Sequence, residues 1–457
     1  MKDLRIGVVV HGPKIVDSGW AGKIIDYLSS IGDVKPILGG TMGRTAVIDS
    51  SLENTIDISE KRLPSETVSI LKEESDVILL MNYGKSQLTG DIFGFKVFKN
   101  SYLKNHWTNP PFIQIERPGE VDGAIILWTK EESDLINDLA IQFNLKAINS
   151  KTVVKKHFEE EMMNYNAYLN GLKKKTPKSK HVNIQRKIKG VSPGENIFVN
   201  GIVVGKSTSS NLSLVAKDNK LVNMIGGNIK KHGVEKLGEI DLNKAIIKTG
   251  LLRTSEVIPR IIEKENKGII EINDTKEKTK KDKKDKGTKK DNINEKDKGN
   301  EKDNRNEKDN RNEKDKGNEK DNGKSNSSEF IVSFLNHLGE DVYSFKDSDL
   351  VITVGDDTTL VSSDILYRFN IPIIGITDGD LDKIVEKGYK NEKTTIIEFE
   401  EGTDDIFGNL IFKELFKEKN NVNINLNHYN SDDEIINEMK ETILKIAKNN
   451  NFNFNIK

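Results

Sequence analysis

The sequence predicts a multi-part α/β protein, and three observations carry that reading. Continuous apolar runs alternate with helix-compatible segments at both ends of the chain. A middle region has short apolar runs broken by turn residues. Between that region and the C-terminal part lies a charged repeat with nothing to bury. The class is therefore a Rossmann-like parallel-sheet N-terminal domain, a small mainly antiparallel β domain, a disordered charged tether and a second small α/β domain.

Leu4–Val10 is a β-branched run stopped by His11-Gly12-Pro13. Asp17-Ser18-Gly19 can start a helix through Ile31, with Ile24, Ile25 and Leu28 on one face. Val34–Leu38 is the next strand, closed by Gly39-Gly40. Asp76–Met81, Phe112–Ile115 and Ala124–Trp128 follow as apolar runs of the kind a doubly covered parallel sheet needs, with a helix over Glu131–Phe143. This domain is placed at 1–150, and a helical, basic connector at 151–178.

Residues 179–271 read as the β domain. Asn196–Val199 and Ile202–Val204 flank Asn200-Gly201, the favoured two-residue hairpin turn. Residues 272–328 form the tether, where Asn-Glu-Lys-Asp-x-x repeats five times from Asn294. A six-residue period without apolar residues cannot offset the entropy of ordering. Residues 329–420 return to strand–helix alternation, with strands at Leu350–Val354, Ile371–Ile376 and Thr395–Phe399 and a helix over Thr359–Phe369. Residues 421–457 read as an Asn-rich tail with one amphipathic helix carrying Ile435, Met439, Ile443 and Leu444.

Composition narrows the chemistry. The 457 residues contain no Cys, which excludes disulfides, thiolate catalysis and Cys-ligated metals. No apolar run reaches the roughly 18 residues of a membrane span, and no signal-peptide core opens the chain, so a soluble cytoplasmic protein is expected. The net charge of −1 is a cancellation. Lys173–Arg253 carries 17 basic and 5 acidic residues, net +12, whereas 329–457 carries 13 and 25, net −12. The basic stretch suits a nucleic-acid partner or, equally, docking against the acidic domain. Phe198 is the one aromatic residue in 179–271, which favours contact with backbone phosphates over base stacking.

Gly84-Lys85-Ser86 invites a P-loop reading, but the glycine that motif needs falls on Leu79, inside a strand. Gly39-Gly40-Thr41-Met42-Gly43-Arg44 is a better anion cradle, since glycines admit a ligand to the backbone and Arg44 offers a two-pronged donor. Ligands of open parallel sheets bind beyond the carboxyl ends of strands, and His11, Arg44, Asn82, Lys85 and Glu116-Arg117 all follow such ends. In the C-terminal domain, Gly355-Asp356-Asp357-Thr358-Thr359 and Thr377-Asp378-Gly379-Asp380-Leu381-Asp382 follow two successive strands. Asp356, Asp357, Asp378 and Asp380 become candidate ligands for Mg²⁺ with a phosphorylated small molecule or nucleotide. Helix caps and turns account for the same residue types without a ligand.

Two resemblances add to this. Asp349–Thr359, followed by Asn370-Ile371-Pro372-Ile373-Ile374-Gly375-Ile376, resembles the strand–loop of NAD kinases and diacylglycerol-kinase-like enzymes. The resemblance implies Asp357 as the catalytic Asp and Thr359 as the loop's final Thr, although Asp356 and Thr358 replace two of that family's glycines. The chain apart from the tether resembles a domain-of-unknown-function family of methanogenic archaea. The carriers are Val8–Pro13, Gly39–Asp49, Gln114–Gly119, His232–Leu237 and Gly355–Thr359. That resemblance implies a lineage and no activity. Three functions are open at this stage: a Mg²⁺-dependent binder or phosphoryl-transfer enzyme, a nucleic-acid-associated protein, and a regulatory scaffold.

Overall fold

The computed structural model describes residues 4–130, 134–159, 162–170, 184–262, 329–336, 341–379 and 391–457. The tether, the connector lysines 173–180 and Asp380 lie outside these residues.

The first sheet has six strands: β1 Leu4–His11, β2 Gly32–Leu38, β3 Val77–Asn82, β4 Phe112–Glu116, β5 Ala124–Leu127 and β6 Lys146–Asn149. Their spatial order is β2-β1-β3-β4-β5-β6. All neighbours are parallel except β4 and β5, a reversal that a short Pro118-Gly119 turn permits and an all-parallel reading missed. Alternation along β1 supplies both faces. Val8 and Val10 enter one core cluster with Ile24, Ile25 and Leu28, while Val9 enters another with Val68, Leu71, Phe98 and Trp128. The expected helix starting at Asp17-Ser18-Gly19 runs over Trp20–Ser29, with Gly19 as its N-cap at a left-handed φ of 76°, and a short helix, Pro13–Asp17, precedes it.

The middle region forms two antiparallel sheets. One has order β11-β10-β7, from Lys220–Ile225, Leu212–Lys217 and Ile184–Ile188. The other has order β12-β9-β8-β13, from Gly227–Ile229, Ile202–Ser207, Asn196–Val199 and Ile247–Thr249. Asn200 and Gly201 both have positive φ, as a primed turn between β8 and β9 requires. Phe198 is buried with Val203 against Val361, so it is not free to stack on a base.

The C-terminal sheet has order β18-β14-β15-β16-β17-β19. Its parallel centre is β14 Glu329–Leu335, β15 Leu350–Val354, β16 Ile373–Thr377 and β17 Thr395–Phe399. The segment read from sequence as a tail closes both edges, with β18 Asn421–Asn425 antiparallel to β14 and β19 Phe454–Ile456 antiparallel to β17. Its helix, Asp432–Asn449, lays Ile435, Met439, Ile443 and Leu444 onto one face, as its spacing predicts. The opposite face contributes Val351 and Ile373, and the helix covering it Leu366, to the same core cluster as Val8 and Val10. The two α/β regions thus have separate sheets and one shared core. Among the described residues, no helix is long and apolar enough to cross a membrane.

Candidate functional site

Three aspartates meet at the carboxyl edge of the C-terminal sheet. After β15, Gly355 takes a φ of 93°, and the helix Asp356–Tyr367 begins at once. It starts three residues earlier than the sequence reading placed it, which puts Asp356 and Asp357 in its first turn. Asp356 Oδ2 accepts the backbone N–H groups of Asp378 and Gly379, each at 3.1 Å. Asp378 Oδ2 accepts the N–H of Gly402 at 2.7 Å. Asp404 opens the helix Asp404–Glu414 and is 4% exposed. One carboxylate oxygen from each of Asp356, Asp378 and Asp404 lies within 4.8 Å of the others. Burial and the adjacent Asp378 and Asp404 push the Asp356 carboxyl up to about 6.

Asp357 is not one of the three. Thr359 turns inward, with its hydroxyl 2.8 Å from that of Thr353 and its methyl where a Cβ on Gly375 would sit. Asp404 was missed from sequence. It follows β17 in Glu400-Glu401-Gly402-Thr403-Asp404-Asp405, and the strand-end rule applied to β15 and β16 reaches it too.

The first sheet has its own crevice. The chain leaves β1 for β2 on one side and returns to β3 on the other, a switch point where open α/β sheets bind ligands. His11 and Asn82 are register partners there. The His11 ring packs on Phe93 at 4.0 Å, and its Nδ1 is enclosed without a hydrogen-bond partner among the described residues. Burial, then the Lys248 cation, holds His11 down to about 3, so it is neutral.

Glu116 anchors the loop after β3. It accepts hydrogen bonds from Asn82 Nδ2 at 2.7 Å, Gln114 Nε2 at 2.8 Å and Gly84 N at 2.6 Å. Burial outweighs these bonds and pushes its carboxyl up to about 7. Lys85 reaches Glu195 at 2.6 Å and Thr249 at 2.9 Å. Ser86 caps the helix Gln87–Phe98, which accounts for the P-loop-like Gly-Lys-Ser.

Two expected anion donors are otherwise engaged. Arg117 donates to Gly84 O in the loop after β3 at 2.7 Å and to Asp122 in its own loop at 3.0 Å. Arg44, 3% exposed, points into the C-terminal lobe, where it pairs with Asp341 at 2.5 Å and stacks over Tyr343. Gly39 and Gly43 have packing reasons to be glycine: a Cβ would lie 2.8 Å from Val9 at the first and 2.8 Å from Leu38 at the second. Gly40 has a φ of 97° and open space where a Cβ would be.

With this geometry in hand, relatives are informative. The profile of a family described as uncharacterized proteins conserved in archaea (DUF2117) matches residues 8–419. An uncharacterized protein of Methanocaldococcus jannaschii is 38% identical over 451 residues, covering 98% of this chain and 98% of its own. No solved structure matches the chain significantly. Neither relative is a nucleotide or lipid kinase by name, so the likeness of the Gly355–Thr359 loop stays a local one. With a family match over most of its length and a full-length archaeal relative, the chain belongs to the DUF2117 family of archaeal proteins.

Proposed function

We propose that the protein binds Mg²⁺ together with a phosphorylated small molecule, of the nucleotide class, at the carboxyl edge of its C-terminal sheet. The supporting observation is the approach of Asp356, Asp378 and Asp404 to within 4.8 Å, one of them almost fully buried. Crowded carboxylates repel one another unless a proton or a cation lies between them. Oxygen ligands suit Mg²⁺, which keeps coordination positions for phosphate oxygens. Those three aspartates would hold the ion, which would neutralise charge on the phosphate. Phosphoryl transfer or hydrolysis is the reaction class such a site serves, with Asp357 beside Asp356 as base or further ligand. Calorimetry of the full chain with MgCl₂ and a nucleoside triphosphate tests this. Saturable, Mg²⁺-dependent binding that weakens in Asp404→Asn is expected. No binding, or binding unchanged in Asp404→Asn, overturns it.

A second reading, nucleic-acid association, is favoured by the exposure of Lys206, Lys217, Lys220, Lys231 and Lys244 on the middle region. With Phe198 buried, contact would be to phosphates alone, so affinity for single-stranded RNA should fall steeply with salt. Affinity that stays level between low and moderate salt would remove this reading.

A further inference from the structure

Lys248 lies in β13 and extends to the carboxyl edge of the first sheet. Its side chain is partly buried, and among the described residues its ammonium donates only to neutral groups, Leu252 O at 2.9 Å and Met42 Sδ at 3.1 Å. Among the described residues no carboxylate is bonded to it. The neighbouring Lys85 already has its counter-charge in Glu195. Lys248 interacts electrostatically with His11, whose enclosed Nδ1 has no hydrogen-bond partner among the described residues. A cation with no bonded counter-charge and an unpartnered ring nitrogen therefore meet near the β1/β3 switch point. A Cβ built on Gly12 would meet no atom within 4 Å, so the backbone next to His11 faces open space.

Burying an ammonium without an anion is costly, and proteins offset that cost with a paired charge. Among the described residues none is bonded to Lys248. We propose that Lys248 and His11, next to the open backbone at Gly12, bind an oxyanion, the phosphate or carboxylate group of a small-molecule ligand. The site uses none of the three aspartates and stands independently of the Mg²⁺ reading.

The titratable and charged groups facing Lys248 are His11 at the end of β1 and Lys85 after β3, with Glu195 before β8 bonded to Lys85. Burial, then Lys85, holds Lys248 down to about 7, so the free site is mostly uncharged at pH 8. An arriving oxyanion favours the charged amine, and binding then takes a proton from solvent.

The test is calorimetry of the full chain at pH 8 with EDTA, in two buffers of different ionisation enthalpy. Sulfate serves as the phosphate mimic, because it has no proton to exchange at this pH, and malonate serves as the carboxylate probe. Saturable binding of either, with net proton uptake, is expected and tells which class the site prefers. Lys248→Met should weaken that binding roughly 30-fold or more and abolish the uptake. Asp404→Asn should leave both unchanged. The proton count on the unmodified protein stands even if Lys248→Met folds poorly. Failure of both probes to bind, binding without proton uptake, or binding unaltered in a folded Lys248→Met overturns the proposal.

Discussion

Arg368 grips Asp49 with two prongs across the two lobes, Nε to Oδ1 at 2.9 Å and Nη2 to Oδ2 at 2.7 Å. Asp49 also receives Arg253 Nη1 at 2.6 Å and the backbone N–H of Arg260 at 2.9 Å. One buried carboxylate therefore ties the first lobe, the segment leaving the middle region and the C-terminal lobe. Removing one partner of a buried ion network strands the others without compensation. Asp49→Asn should cost about 3–5 kcal/mol, read as a lower urea midpoint. A midpoint equal to that of the unmodified protein would show that the arginines find other partners.

Gly94 is forced by Gln114. A Cβ there would lie 1.6 Å from Gln114 Oε1, and that side chain cannot yield freely. It is fully buried, accepts from Trp128 Nε1 at 3.0 Å and donates to Gly90 O at 3.0 Å and Glu116 at 2.8 Å. Gly94→Ala should displace it, leave the Trp128 N–H unpaired and cost about 2–4 kcal/mol. Thermal melting followed by tryptophan fluorescence checks this, and an unchanged melting temperature contradicts it.

Apolar runs buried on both faces, such as Val8–Val10, announce themselves because no other arrangement hides them. Asn200-Gly201 does so because few residues tolerate positive φ. The approach of Asp356 to Asp378 was readable from two strand ends. Edge strands were not. Val422 and Ile424 alternate with asparagines in β18, a pattern too short and too polar to separate from coil, and only pairing with β14 makes it a strand. Arg44 looked like an anion donor because its loop is glycine-rich, but its partner Asp341 is 297 residues away and local pattern cannot show that. Lys248 sits in Ile-Ile-Lys-Thr-Gly, ordinary strand sequence. That no carboxylate among the described residues bonds it is a property of packing between regions distant along the chain.

Glu116 should give the fold a measurable pH signature. Its carboxyl is held up to about 7, above its ordinary value near 4.3 in an unfolded chain. The folded state therefore holds this proton more tightly. The stability it contributes is fully present below about pH 4.3 and is lost as pH rises to about 7. Glu116→Gln cannot titrate there. Between pH 5 and 7.5 the unmodified protein should lose stability relative to the variant, by an amount on the order of 2 kcal/mol. Asp91 titrates nearby in both proteins, so its effect largely cancels in the difference. Parallel urea midpoints across this range would mean that Glu116 stays ionised in the fold.

Proton and cation compete at the acidic edge. Asp356 is held up to about 6 because burial and two neighbouring carboxylates disfavour its charge. A divalent cation favours the ionised form, so binding must expel the proton below that pH. Mg²⁺ affinity should be level above about pH 7 and fall about tenfold by pH 5. Asp378→Asn removes one source of repulsion and one ligand together. It should bind Mg²⁺ more weakly at pH 7.5, with its pH dependence moved to lower pH. Mg²⁺ titrations at pH 5, 6 and 7.5 on both proteins decide this. Affinity independent of pH in the unmodified protein would mean that the ion does not bind through Asp356.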